Sequence, residues 1–162
     1  MLILGIDPGL AIVGYSLVEK KGNKLKAHDF GVIRTAADLS NVDRLNQIYS
    51  QLTSIIKEYQ PNDMAVEKLY FNQNVKTAIK VGQARGVILL TGAQSDLNVA
   101  EYTPLQVKQA VVGYGRADKQ QVQQMVKALL NMVNIPKPDD AADALAISIC
   151  HGNSIGLNKY NF

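Results

Sequence analysis

The sequence predicts an α/β domain: a five-stranded mixed sheet, made of a three-stranded meander plus parallel strands, flanked by helices. Two observations carry that reading. The apolar pattern runs strand, strand, strand, helix, strand, helix, strand and then three helices, so crossover helices join the later strands and those strands lie parallel. The chain has 162 residues, 47% hydrophobic and 19% charged, which suffices for one core and leaves nothing for a second.

The elements follow in order. Leu2 to Ile6 is a short apolar strand that stops at Asp7-Pro8-Gly9, because proline has no N–H for the ladder. Gly14 to Lys20 and Lys26 to Arg34 read as two more strands around a turn at Lys21-Gly22-Asn23-Lys24. From Asn41 to Tyr59, Val42, Leu45, Ile48, Tyr49, Leu52, Ile55 and Ile56 recur at helical spacing, with Ser40 as N-cap and Pro61 beyond the end. Met64-Ala65-Val66 leads into Glu67 as a buried strand, Gln73 to Gln94 reads as a helix, and Asn98 to Tyr102 as the fifth strand. Helices over Pro104 to Val112, Asp118 to Met132 and Asp139 to about His151 complete a single domain, 1–152. Residues 153–162 read as an irregular or flexible C-terminal tail.

Composition excludes several classes. The one cysteine, Cys150, cannot form an internal disulfide, no apolar run reaches the roughly 18 residues a spanning helix needs, and the start MLILGIDPGL lacks a basic leader. A cytoplasmic protein with no membrane association is the expectation. The net charge of +3 conceals an asymmetry. Residues 68–137 hold nine basic and three acidic side chains, whereas both ends are slightly acidic. Such a basic middle suits a polyanion, although a solvated surface also produces charge excess.

Four carboxylates stand out. In open α/β sheets the functional crevice lies at the carboxyl ends of the parallel strands, where Asp7 and Glu67 fall. Asp140 and Asp143 are three apart at the start of the last helix and share a face, as Asp139 and Asp143 do. Each residue also has an ordinary explanation: a turn former before Pro-Gly, a strand-edge acid, a helix cap. Asp143 resists this most, since it sits within Ala141-Ala142-Asp143-Ala144-Leu145, where an unpaired charge would be costly. Converging carboxylates call for cations, and hard oxygen ligands suit Mg²⁺ or Mn²⁺. In a two-metal site one ion activates the attacking water and the other stabilises the leaving oxygen.

The ordered set Gly5-Ile6-Asp7-Pro8-Gly9, Val66-Glu67, Gly82-Gln83-Ala84-Arg85-Gly86, Val107-Lys108-Gln109 with Val111-Val112-Gly113, and Asp140-Ala141-Ala142-Asp143-Ala144-Leu145-Ala146 closely resembles the bacterial RuvC-type Holliday-junction resolvases. The likeness spans residue 1 to about 152. It implies an RNase H-like fold and a homodimer that nicks two opposed strands of four-way junction DNA in recombination and repair, leaving 5′-phosphate and 3′-hydroxyl ends. It implies two Mg²⁺ per site, with Mn²⁺ as a substitute, held by Asp7, Glu67, Asp140 and Asp143, and so selects Asp140 over Asp139. It also implies partners of the RuvA and RuvB branch-migration type.

Lys119 and Lys108 match family residues that act near the scissile phosphate, and Lys76, Lys80 and Arg116 extend the basic, salt-sensitive surface. Tyr70 and Phe71 follow Glu67 and are candidates for stacking on junction bases. Ala78, Gly82 and Gly86 form a smooth helical stripe, suited to internal packing or to a two-fold contact. His28, His151, Gly9 and Gly14 read as structural, both glycines as turn residues. Two other readings remain open: a catalytically silent junction-binding module, and a phosphotransferase or ATPase of the actin-like fold. The chain lacks the P-loop pattern GxxxxGK[ST], and actin-like enzymes join two such domains around a nucleotide.

Overall fold

The computed structural model describes residues 1–69 and 75–157. Chain order is β1 (Leu2–Asp7), β2 (Ile12–Lys21), β3 (Lys24–Arg34), α1 (Asn41–Tyr59), β4 (Asp63–Glu67), α2 (Val75–Gln94), β5 (Asn98–Tyr102), α3 (Pro104–Val112), α4 (Lys119–Leu129) and α5 (Asp139–Leu157). The sheet order is β3-β2-β1-β4-β5, with β1, β4 and β5 parallel and the meander antiparallel, as the pattern predicts. Gly22 takes φ 57° in the two-residue turn between Lys21 and Lys24, a conformation that costs glycine little. Several boundaries differ, β3 among them, which begins at Lys24. β2 begins at Ile12, α4 ends at Leu129, and α5 continues to Leu157, so residues 153–157 are helical rather than an irregular tail. Within the extension the Ser154 hydroxyl donates to the Cys150 carbonyl at 2.8 Å along the same helix.

Strand alternation divides the core in two. Leu4, Ile6, Met64 and Val66 pack beneath α1 and α2 with Ile48, Leu52, Ala84 and Ile88. On the opposite face Ile3, Val18 and Ala65 meet Val107, Val111, Val122, Val126 and the apolar row of α5, Leu145, Ala146, Ile149 and Cys150. Helix α5 lies almost backbone-to-backbone on β1 and β2. A Cβ on Gly5 would stand 2.4 Å from the Ala144 carbonyl oxygen and 2.2 Å from Ser148 Oγ. One on Gly14 would stand 2.0 Å from the Asp140 carbonyl oxygen. Gly14 therefore is no turn residue; it lies inside β2 and makes room for the start of α5. The buried Ser16 hydroxyl completes the seam, 2.8 Å from both the Ala144 carbonyl and the Ser148 hydroxyl.

A methyl group at Gly5 meets backbone that cannot step aside. We expect Gly5→Ala to destabilise the domain by about 1–3 kcal/mol, the usual cost of overpacking, visible as a lower Tm in thermal denaturation. An unchanged Tm would show that the seam is looser than described.

Candidate active site

The seam fixes the four carboxylates. Asp7 is the last residue of β1 and pairs with Gly14 of β2, while β4 runs beside β1 with Val66 opposite Ile6, placing Glu67 next in line. Asp7 and Glu67 alternate onto the α5 face of the sheet. Because Gly14 admits the Asp140 backbone, the first turn of α5 crosses directly over the end of β1.

The electrostatics record the convergence. The Asp7 carboxyl is pushed up to about 8, first by burial, then by the charges of Asp143, Glu67 and Asp140, with Lys119 pulling the other way. Glu67 is pushed up to about 7 by burial and by Asp143, with Lys108 opposing. Burial also raises Asp143, again against Lys119. Lys119 Nζ lies 3.2 Å from Asp143 Oδ2 and 3.4 Å from Asp139 Oδ2. Burial works against the lysine's charge, but these two acids raise its pKa above the ordinary value.

Asp139 and Asp140, which spacing leaves equivalent, have different surroundings. Asp139 accepts from Lys137 Nζ at 2.9 Å and from Gln123 Nε2 at 3.0 Å, and these contacts with Lys119 lower its pKa to about 2. It ties α4 to α5. Asp140 acts on Asp7 instead.

A cavity of about 260 Å³ runs from this cluster, lined by Glu67, Lys108, Lys119 and Asp143 above the apolar side chains of Val107 and Val122. Both lysines are positioned by capped helices. The Thr103 hydroxyl accepts from the Gln106 N–H and the Gln106 side chain from the Thr103 N–H, starting α3; Asp118 and Gln121 do the same for α4. Lys119 is thus the first residue of α4. Arg116 is exposed between these helices, and Lys80 is exposed on α2. Tyr70 and Phe71 lie outside the described residues, as does the side chain of Lys76.

Sequence reasoning missed Arg85 as a support and read His151 as structural without its partners. Arg85 pairs with Glu101 on β5, and its Nε donates to the Glu67 carbonyl at 3.4 Å, so it braces the end of β4 from the α2 side. His151 is buried in a network: Nε2 meets Asp63 Oδ2 at 2.9 Å and Nδ1 meets the Tyr102 hydroxyl at 2.8 Å, while Asn98 Nδ2 donates to Asp63 Oδ1 at 3.0 Å. The available signal was modest: small residues at Gly5 of β1 and at Gly14 and Ser16 of β2, on one face of the sheet.

The donor set suits a hard divalent cation. Among the described residues, no three acidic, histidine or cysteine side chains stand close enough to ligate one ion as placed.

Carboxylates gathered over the carboxyl ends of parallel strands, with two helix-borne lysines beside them, define the class, an α/β domain equipped for phosphoryl chemistry. A family model described as crossover junction endodeoxyribonuclease RuvC matches residues 3–151, and the chain belongs to that family. The RuvC of Halothermothrix orenii is 68% identical over 159 residues, covering 98% of this chain and 96% of the relative. The structure of T. thermophilus RuvC in complex with Holliday junction substrate superposes with a TM-score of 0.92 at 32% identity, covering 98% of this chain and 96% of that one. The fold is RNase H-like. It extends to the yeast mitochondrial resolvase Ydc2, 12% identical with a TM-score of 0.73 over 98% of this chain and 80% of that one, a likeness of fold alone. Among the described residues no helix is long and apolar enough to cross a membrane.

A carboxyl raised in the folded state holds its proton to higher pH than the unfolded chain does. Its contribution therefore favours folding below the ordinary value of 3.8 and is lost as pH rises through about 8. The Tm of metal-free protein is expected to decline across that window. Asp7→Asn should flatten the decline and raise Tm at the alkaline end, each kcal/mol regained being about 2–4 °C at this chain length. Parallel Tm curves for the two proteins would contradict the charge crowding.

Proposed function

We propose that this chain resolves four-way DNA junctions, nicking two opposed strands symmetrically to leave 5′-phosphate and 3′-hydroxyl ends during recombination and repair. The observation that carries the reading is the convergence of Asp7, Glu67, Asp140 and Asp143 beside Lys119, at the sheet edge where a RuvC family member would place its chemistry. This favours a nuclease over a silent binding module, whose fold would gain nothing from crowding buried acids.

The four carboxylates would hold Mg²⁺, two ions per site, with Mn²⁺ as a substitute. When bound, the ions activate a water for attack and stabilise charge on the leaving oxygen. The chain's own residues do the rest. The strand ends and the capped start of α5 hold the ligand oxygens on rigid elements, which keeps their arrangement set before substrate arrives. Lys119, paired with Asp143, and Lys108, facing Glu67, orient the phosphodiester and offset its negative charge at the cleavage point. Arg116, Lys80 and Lys76 extend the basic surface that holds the DNA around the cleavage point, and Tyr70 and Phe71 contact unpaired bases at the crossover.

Two cuts need two sites, and the surface of α2 fits a second copy. Open space surrounds the Cβ positions of Gly82 and Gly86, with nothing within 4 Å, so internal packing does not explain these glycines. Ile79 and Leu90, 58% and 56% exposed, extend the same stripe. A smooth apolar face of this kind buries well against its two-fold mate. Cytoplasmic location and partners of the RuvA and RuvB type complete the reading.

The test is incubation of labelled four-way junction and linear duplex with and without Mg²⁺; symmetric nicks confined to the junction and dependent on the ion are expected. Asp7→Asn should abolish cleavage, by at least roughly a hundredfold in rate given the loss of a metal ligand, while still binding the junction. Nicking at the normal rate by this variant would sink the site assignment. For the dimer, Gly86→Arg should shift the protein to monomer in sedimentation while circular dichroism shows the fold retained; an unchanged sedimentation profile would place the interface elsewhere.

A further inference from the structure

A cavity of about 470 Å³ opens next to the carboxylate cluster, between the loop after β1 and the early turns of α1 and α2. Asp140 stands on its wall, so the cavity borders the candidate active site, yet its two basic residues, Arg44 and Lys80, give it the opposite character. Arg44 is half-buried and fixed. Its Nε donates to the Thr35 hydroxyl at 2.8 Å, and that hydroxyl donates to the Leu10 carbonyl at 2.6 Å. Thr35 is itself 7% exposed, and its N–H donates to the Ala11 carbonyl at 3.0 Å. The anchor is therefore tied into the same Gly9–Ile12 loop that walls the cavity. Among the described residues no carboxylate pairs with Arg44 or Lys80, and the terminal nitrogens of Arg44 have no hydrogen-bond partner.

An arginine held by Nε, with the remainder of its fork uncommitted, is prepared for a two-oxygen acceptor. Proximity to Asp140 limits how far that acceptor lies from the chemistry. The geometry points to a phosphate subsite in which Arg44 and Lys80 hold a backbone phosphate of the strand being cut, adjacent to the scissile one, with Thr35 as the positioning residue for Arg44. This rests on the reading of the chain as a junction nuclease. It gives the scissile bond a second fixed point on its own strand, independent of the arms.

The test places a single uncharged methylphosphonate at successive positions across the cleavage site and measures junction binding without divalent ion. Wild type should lose roughly tenfold in affinity at one flanking position, the size of a charge-assisted contact. Arg44→Gln should lose about the same factor on unmodified junction, become indifferent to the modification at that position, and show a salt slope reduced by about 1. Lys80→Gln, at an exposed site, should weaken the same position, and Arg44→Lys should restore only part of the affinity because lysine has no fork to anchor on Thr35. An Arg44→Gln variant that binds as wild type does, or that keeps the wild-type interference profile, overturns the subsite while leaving junction cleavage by the wild-type protein intact. Failure of the wild-type protein to cut junctions overturns the nuclease reading and the subsite with it.

Discussion

The close approach of α5 to β1 and β2 is the constraint on which the rest depends. Helices normally pack on sheets at a distance set by side chains; here Gly5, Gly14 and Ser16 remove that spacer, and Ser148 and the Ala144 carbonyl take up the hydroxyl of Ser16. The consequence is electrostatic. A helix that starts directly above the end of β1 brings its acids against Asp7, and no side chain larger than hydrogen at Gly14 is compatible with that placement. Burial then makes the charges costly, which explains why carboxyls at this edge hold protons well above their ordinary range.

Around this acidic centre the chain arranges positive charge in layers. Lys119 contacts Asp143 directly and Lys108 acts on Glu67, while Arg44 and Lys80 stand across Asp140 in the neighbouring cavity. Arg85 is different, since Glu101 neutralises it and its role is to brace the backbone of Glu67. A small overall charge is thus the sum of strong local fields with opposite signs.

The fold was largely legible because its signals are periodic. Sheet order, strand direction and five helices follow from alternation, helical spacing and helix-start signals such as the cap Ser40 and the first-turn Pro104. The acids at strand ends were equally visible, since Asp-Pro-Gly must end a strand. What escaped was everything that depends on one element meeting another. Gly14 resembles a turn residue until α5 is laid over it, Asp139 and Asp140 are equivalent until Gln123 and Lys137 engage one of them, and Arg44 is one more helix-surface arginine until Thr35 fixes it. Contacts of this kind join residues distant in sequence and leave no pattern along the chain.

The network of Asp63, His151 and Tyr102 gives α5 a second attachment, at the end opposite its acids. A beam clamped at both ends neither pivots nor slides. The carboxylates thus ride on a member held at two separated points, by the seam at Gly14 and by this network, and neither attachment alone has to keep the helix on the sheet.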